Sequence, residues 1–149
     1  MTTDPELDPT AVEIGRFYPH EPDLVWRALT DPKVVEQWLM PSTGMAAAAE
    51  GTHFVFMVPT QPPGEIACEV LQLRPGEQLV LSWVDLRATR PARWVVDWAV
   101  HREGRGTRLL LTHSGFDIND RRQKMARNGM ERMWRRALTQ LGELLDRTQ

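Results

Sequence analysis

The sequence predicts an α+β fold in which an antiparallel sheet is covered by one long C-terminal helix. Three observations predict it. Along Arg108–His113, residues Leu109, Leu111 and His113 share one face of a strand, and Leu110 is the only apolar residue on the other. After that strand, Met130, Met133, Trp134, Ala137, Leu138, Leu141, Leu144 and Leu145 recur at spacings of three and four, which is the apolar stripe of a helix. Arg127, Glu131, Arg132, Arg135, Gln140 and Glu143 fall on the opposite face. Between residues 52 and 106 the chain alternates over short segments separated by turn residues, as successive antiparallel strands do. The helix therefore lies along a sheet whose inner face carries one histidine among aliphatics. That is the plan of a container.

At 149 residues the chain suits a single domain. Residues 1–9 read as a disordered leader and residues 10–149 as the domain. Ala11–Tyr18 is a first strand, with Val12 and Ile14 on one side. Pro22 starts a helix whose inner stripe is Val25, Trp26 and Leu29. Asp31-Pro32 is an N-cap followed by proline at the first helical position. It opens a short helix through Val34, Val35, Trp38 and Leu39 that stops at Pro41. Thr52–Val58 alternates with Phe54, Phe56 and Val58 together. Gln61–Gly64 is a turn. In Ile66–Leu73, Cys68 and Val70 argue for one phase and Leu71 and Leu73 for the other, a conflict that a bulge would reconcile. Arg74–Glu77 is a hairpin turn, after which Leu79, Leu81 and Trp83 share a face. A longer loop from Asp85 to Pro91 leads to Trp94, Val96, Trp98 and Val100 on one face, with Asp97 on the other. Glu103–Gly106 turns into the Leu109–His113 strand.

Composition narrows the function. Hydrophobic residues make up 42% and charged residues 26%, ordinary values for a globular protein. No apolar run approaches a membrane span, and the acidic, proline-containing start does not read as a signal peptide. One cysteine, Cys68, allows no internal disulfide, so a reduced, cytoplasmic setting is expected. Net charge is −2, with nine acids and three bases in residues 1–50 against eleven bases and six acids in residues 102–149. Acids are mixed among the C-terminal bases, which fits the solvated back of a helix better than a nucleic-acid surface. His20, His53, His101 and His113 have no metal-ligand spacing, and there is no phosphate-cradling or nucleophile-elbow motif. Neither a metal nor a cofactor is expected.

With these residues in this order, the chain resembles the helix-grip superfamily of START-like lipid-transfer domains, birch-pollen-allergen-like proteins and polyketide cyclases. Within it the chain is most similar to the branch related to the activator of the heat-shock-protein-90 ATPase. The resemblance runs from about Glu13 to Leu145. It is carried by Val25–Pro32 with Trp38 shortly after, by Leu79–Trp83, by Gly106–Leu109 through Thr112–Phe116, and by Gly129 ahead of Trp134 and Leu138. The chain departs from the family pattern at Trp38-Leu39-Met40-Pro41, where a double tryptophan and a glycine-proline are common, so no ligand type carries over. The resemblance implies a curved antiparallel sheet gripping the long helix, with two short helices after the first strand and a pocket between sheet and helix. It implies no common reaction.

The residues expected to line that pocket are Trp38, Met40, Phe54, Phe56, Trp83, Trp94, Trp98, His113, Phe116, Met130 and Trp134. A cavity histidine can orient a ligand carbonyl or act as a general base, or its ring nitrogens can simply be satisfied by neighbours. Asp97 faces away from it, and Glu69 depends on the unresolved strand phase, so no catalytic dyad is built. Trp83, Trp94, Trp98 and Trp134 should converge, either lining a pocket or packing as core. Met40, Met57, Met125, Met130 and Met133 would give adaptable walls or fill gaps. Gly129 either kinks the helix, allows close approach to a strand, or is merely tolerated. Gly129 and the Trp38–Met40 loop are the expected places for an entrance. Three functions compete. The first is binding of a small hydrophobic, amphipathic or aromatic molecule between sheet and helix. The second is a cyclase-, hydrolase- or isomerase-type enzyme using His113. The third is a chaperone-associated or regulatory protein-interaction module with a filled core.

Overall fold

The computed structural model describes residues 9–45 and 49–148, so nearly all of the expected leader lies outside the described residues. The elements follow as β1 (Ala11–Tyr18), α1 (Pro22–Thr30), α2 (Pro32–Trp38), β2 (Ser42–Thr43), β3 (His53–Val58), β4 (Gly64–Arg74), β5 (Gln78–Asp85), β6 (Trp94–Glu103), β7 (Gly106–Ser114) and α3 (Arg121–Arg147). The strands form one seven-stranded sheet in the order β1-β7-β6-β5-β4-β3-β2. All neighbours run antiparallel. This is the α+β helix-grip fold that the sequence predicts. The two-residue strand β2 was not expected; it pairs Ser42 with Phe56 and Thr43 with Val55.

Local chemistry explains the joints. Asp31 caps α2 by accepting from the Lys33 backbone N–H at 3.0 Å, with Pro32 at the first helical position. Trp38, at the end of α2, donates its indole N–H to the Ala28 carbonyl of α1 at 2.8 Å, which locks the two short helices together. In β4 the register shifts between Val70 and Gln72. Leu71 is turned out to 41% exposure there, while Cys68 and Val70 stay buried and Leu73 packs against the core. The bulge resolves the conflict of phase: one extra residue lets both apolar sets face inward on one strand.

Helix α3 has 27 residues and spans about 40 Å. Its N-cap Asp120 accepts from the backbone N–H groups of Arg122 and Gln123. Trp134, Ala137, Leu138, Leu141, Leu144 and Leu145 are buried along one stripe, and Met130 and Met133 pack partly buried at its upper end. Tyr18 ties β1 to the helix by donating its hydroxyl to the Leu138 carbonyl at 2.7 Å. A Cβ at Gly142 would come within 3.1 Å of the Tyr18 ring, so any larger residue would push that ring aside by a few tenths of an ångström. Gly129 does neither of the things expected of a functional glycine. A Cβ there would meet only the end of Arg132 at 3.9 Å, and the helix runs through it without a break. No helix among the described residues is long and apolar enough to cross a membrane.

Trp134 is fully buried at the centre of the stripe. Trp134→Ala is expected to destabilise the fold by about 3–5 kcal/mol, read as a fall in the urea unfolding midpoint with an unchanged slope. A cost below about 1 kcal/mol would show that the helix does not depend on this ring.

Candidate functional site

The inward side chains of four strands, β3, β5, β6 and β7, meet those of α2, α3 and the turn after β7 in a continuous run of ring contacts. It passes from Trp38 to Trp98 (centroids 6.0 Å apart) and on to Trp134 (5.4 Å) and Trp83 (5.3 Å). Trp83 touches Phe56 (5.5 Å) and His113 (5.9 Å), and Phe56 touches Phe54 (5.3 Å). His113 continues the run to Trp94 (5.4 Å) and Phe116 (4.8 Å). Strand alternation places these rings together: Trp83 and Trp94 are cross-strand partners, as are Val96 and His113. The four tryptophans expected to converge therefore do so. Met40 is buried in the same core, and Met130 packs partly buried against it.

The rings touch rather than surround a space. The void bordered by Trp38, Phe56, Trp83 and Trp98 measures about 10 Å³, barely room for one water. The roomy interior expected from the sequence is filled by the side chains that were to line it. Two methionines are also corrected. Met125 is 69% exposed, and Met57 lies on the strand face opposite Phe56, so neither is a wall.

His113 is the polar centre of the cluster, with no exposed surface. The Trp134 indole N–H donates to its Nδ1 at 2.9 Å. Indole can only donate, so Nδ1 is the acceptor and the imidazole proton sits on Nε2. Among the described residues that Nε2–H is buried with no acceptor, and so is the indole N–H of Trp83. Burial pushes the His113 pKa down to about 3, which keeps the ring neutral at physiological pH. No carboxylate pairs with it. Asp97 accepts from Gln78 on the outer face, and Glu69 lies near His53 and Arg93, each at 3.9 Å. With its pKa at about 3 and its one lone pair already taken by the Trp134 indole, the ring is too weak and too occupied to act as a general base at neutral pH.

Open space lies at the Trp94 end. A cleft of about 940 Å³ separates the β5–β6 loop from the first turns of α3. Asp85, Arg87, Arg90 and Ala92 line it on the loop side, Asp120, Arg121, Arg122, Gln123 and Ala126 on the helix side, and Trp94 between them. The Trp94 indole N–H donates to the Gln123 side-chain oxygen over a long 3.4 Å, and the same oxygen accepts from the Asp117 N–H at 2.9 Å. This opening is neither at Gly129 nor at the Trp38–Met40 loop, after which the Met57 N–H donates to the Pro41 carbonyl and continues the β2–β3 pairing. Sequence reading missed the cleft residues, because loops and helix starts carry no periodicity. One signal was available: a doubled arginine, Arg121-Arg122, directly after an N-cap aspartate, where basic side chains oppose the helix dipole. Among the described residues no group of three His, Cys, Asp or Glu side chains is placed to hold a metal ion.

An open antiparallel sheet gripping a long terminal helix, with two short helices after its first strand, defines the helix-grip class shared by polyketide-cyclase-like proteins. Within that class the chain belongs to the family described as activator of Hsp90 ATPase homolog 1-like proteins, whose model matches residues 19–146. Among solved structures it is similar to protein MLL2253 from Mesorhizobium loti, at 32% identity and a TM-score of 0.82, covering 93% of this chain and 98% of that one. It is similar to CalU16 from Micromonospora echinospora at 25% identity and a TM-score of 0.72, over 90% of this chain and 74% of that one. DynU16, a protein of the dynemicin biosynthetic locus, shares the fold at 20% identity and a TM-score of 0.77, over 92% of this chain and 47% of that one. No curated protein matches the sequence significantly.

The buried imidazole makes stability depend on pH in a defined direction. Unfolded, His113 takes up a proton near pH 6.5; folded, it resists until about pH 3. The unfolded state thus binds more protons throughout that window. The contribution is fully present above about pH 6.5 and is lost as the pH falls toward 3. His113→Leu should flatten this part of the dependence of the urea midpoint on pH. It should also lower the midpoint at neutral pH, because the Trp134 N–H loses its acceptor. An equally steep loss in both proteins between pH 6.5 and 4 would refute the assignment.

Proposed function

We propose that the protein binds a small apolar or amphipathic molecule, aromatic or lipid-like, at the Trp94 end of the sheet–helix interface. The observation that carries this reading is the Nε2–H of His113, a buried donor with no acceptor among the described residues, on a ring in contact with Trp94, which lines the open cleft. A buried unpaired donor costs about 1–3 kcal/mol and is uncommon in native proteins. A ligand carbonyl or carboxylate would satisfy it. Trp94 is the ring on the path, and its one side-chain hydrogen bond is long. The ligand first lies on Trp94 in the cleft; displacement of that ring then opens the way to His113. The remaining aromatic residues named from the sequence form the apolar bed behind it. The fold supports the reading, since related structures include polyketide-cyclase-like proteins. The buried, unpaired Cys68 suits a reducing cytoplasm.

The filled core favours a second reading, a protein-interaction module of the chaperone-associated or regulatory kind, which needs no cavity. A cavity enzyme is the weakest of the three, because His113 is too weakly basic, its one lone pair is taken by Trp134, and no carboxylate partner stands beside it among the described residues.

Native mass spectrometry of freshly purified protein should show a retained small molecule. A screen of fatty acids and aromatic metabolites should raise the melting temperature with ligand concentration and change tryptophan emission. Trp94→Ala should alter that emission response. If no compound moves the melt and no mass is retained, the interaction-module reading replaces the binding one.

A further inference from the structure

We propose that the cleft between the β5–β6 loop and the start of α3 recognises an oxyanion, a carboxylate or a phosphate, carried by a flat aromatic ligand. The inference rests on the small-molecule reading above and names the chemistry of the ligand.

Charge is the first argument. The chain as a whole is acidic, at −2. The cleft is the reverse, lined by four arginines against two aspartates. Both aspartates are already engaged. Asp85 accepts from the backbone N–H, Nε and Nη2 of Arg87, and this pairing holds its carboxyl below the usual range. Asp120 is used as the N-cap of α3. Arg90, Arg121 and Arg122 have no carboxylate partner among the described residues, and all three are exposed at the cleft.

Placement is the second argument. Arg121 and Arg122 occupy the first turn of α3, which contains no acid. Positive charge there works against the helix dipole, and acidic residues are the usual occupants. A local rule broken without a local gain marks a functional site. An anion in the cleft supplies the gain, because the guanidinium groups gain a counter-charge suited to paired N–H donors. The N–H groups of the helix are not counted, since Asp120 takes them.

Shape is the third argument. The space of about 940 Å³ fits a drug-sized molecule. Trp94, Ala92 and Ala126 make its apolar side, and the Trp94 ring is held at a 40° tilt against Phe116, centroids 4.5 Å apart. A planar body against Trp94 with its charged group toward Arg121 and Arg122 uses both halves of the cleft.

The test uses three probes with one body: 2-naphthoate, 2-naphthyl phosphate and 2-naphthalenemethanol. Each is titrated against the full chain by calorimetry at low salt, and against Arg121→Ala, Arg122→Ala and Arg90→Ala. These positions are exposed, so the variants should melt within a few degrees of the parent. The expected result is that one or both anions bind at least about tenfold more tightly than the alcohol. Each arginine change should weaken the anions by up to about fivefold, leave the alcohol unchanged, and reduce the salt dependence. Preference between the naphthoate and the phosphate identifies which oxyanion the cleft serves. Equal binding of all three probes, untouched by the arginine changes, would overturn the anion proposal and leave the small-molecule reading standing. No binding of any probe at millimolar concentration would overturn both.

Discussion

The hydrogen bond from Trp134 to His113 is the constraint on which the rest of the structure depends. It joins the covering helix to the central strand of the sheet's β1 half, and both partners are fully buried. A helix packed only by aliphatic side chains can rotate or slide at small cost. A directional bond inside the core permits one azimuth and one height. With Trp134 fixed, Leu138, Leu141 and Leu145 fall onto the sheet, and the Leu138 carbonyl reaches the Tyr18 hydroxyl. The same bond decides the chemistry of the histidine. An indole donor on Nδ1 leaves the proton on Nε2, and burial keeps the ring neutral. The core thereby holds a polar group without holding a charge, which at this depth would be costly.

The cleft at the other end of the ring cluster is positioned by different means. The β5–β6 loop is anchored where Arg87 grips Asp85. The Arg87 side chain lies across Gly64 at the start of β4, close enough that a Cβ there would sit 2.4 Å from its Cδ. Glycine at 64 therefore lets the loop fold back beside the sheet. On the facing side, Gln123 reaches both the Trp94 indole and the Asp117 N–H, so one amide holds the turn after β7, the first turns of α3 and the last ring of the core.

The sequence made the parts of this architecture with regular periodicity legible. Alternation set Leu109, Leu111 and His113 inward, and spacings of three and four set the Trp134–Leu145 stripe. Tertiary packing obeys both. The phase of β4 could not be read, because the bulge at Leu71 breaks the period on which such reading depends. Strand β2 has two polar residues and no pattern to detect. Alternation also says which way a ring points and nothing about how far it reaches. Trp83, Trp94, Trp98 and Trp134 were rightly placed inside, yet whether they surround a cavity or fill it depends on side-chain volumes summed over all the elements that meet there. The arginines on the helix side of the cleft were read, with the other bases of residues 102–149, as the solvated back of a helix. Arg121 and Arg122 are exposed, as Arg132 and Arg135 are, and what sets them apart is their position in the N-terminal turn.

A packed interior and a binding function are compatible when the ligand's first contacts lie outside the core. Separating Trp94 from His113 and Phe116 sacrifices ring contacts, and the interior then opened must be filled. A ligand relying on the interior alone is penalised by the rarity of the open arrangement: at about 1% population its affinity falls about a hundredfold. The cleft avoids this penalty, because it is open before any ligand arrives. Charge attraction at Arg121 and Arg122 and contact with the small part of Trp94 that lines the cleft can hold a ligand while the ring remains in place. The unpaired Nε2–H of His113 then favours the open arrangement only for a ligand with an acceptor to offer. Selection would thus fall in two stages, charge and flatness at the cleft and an acceptor at the histidine, with Trp94 as the element between them.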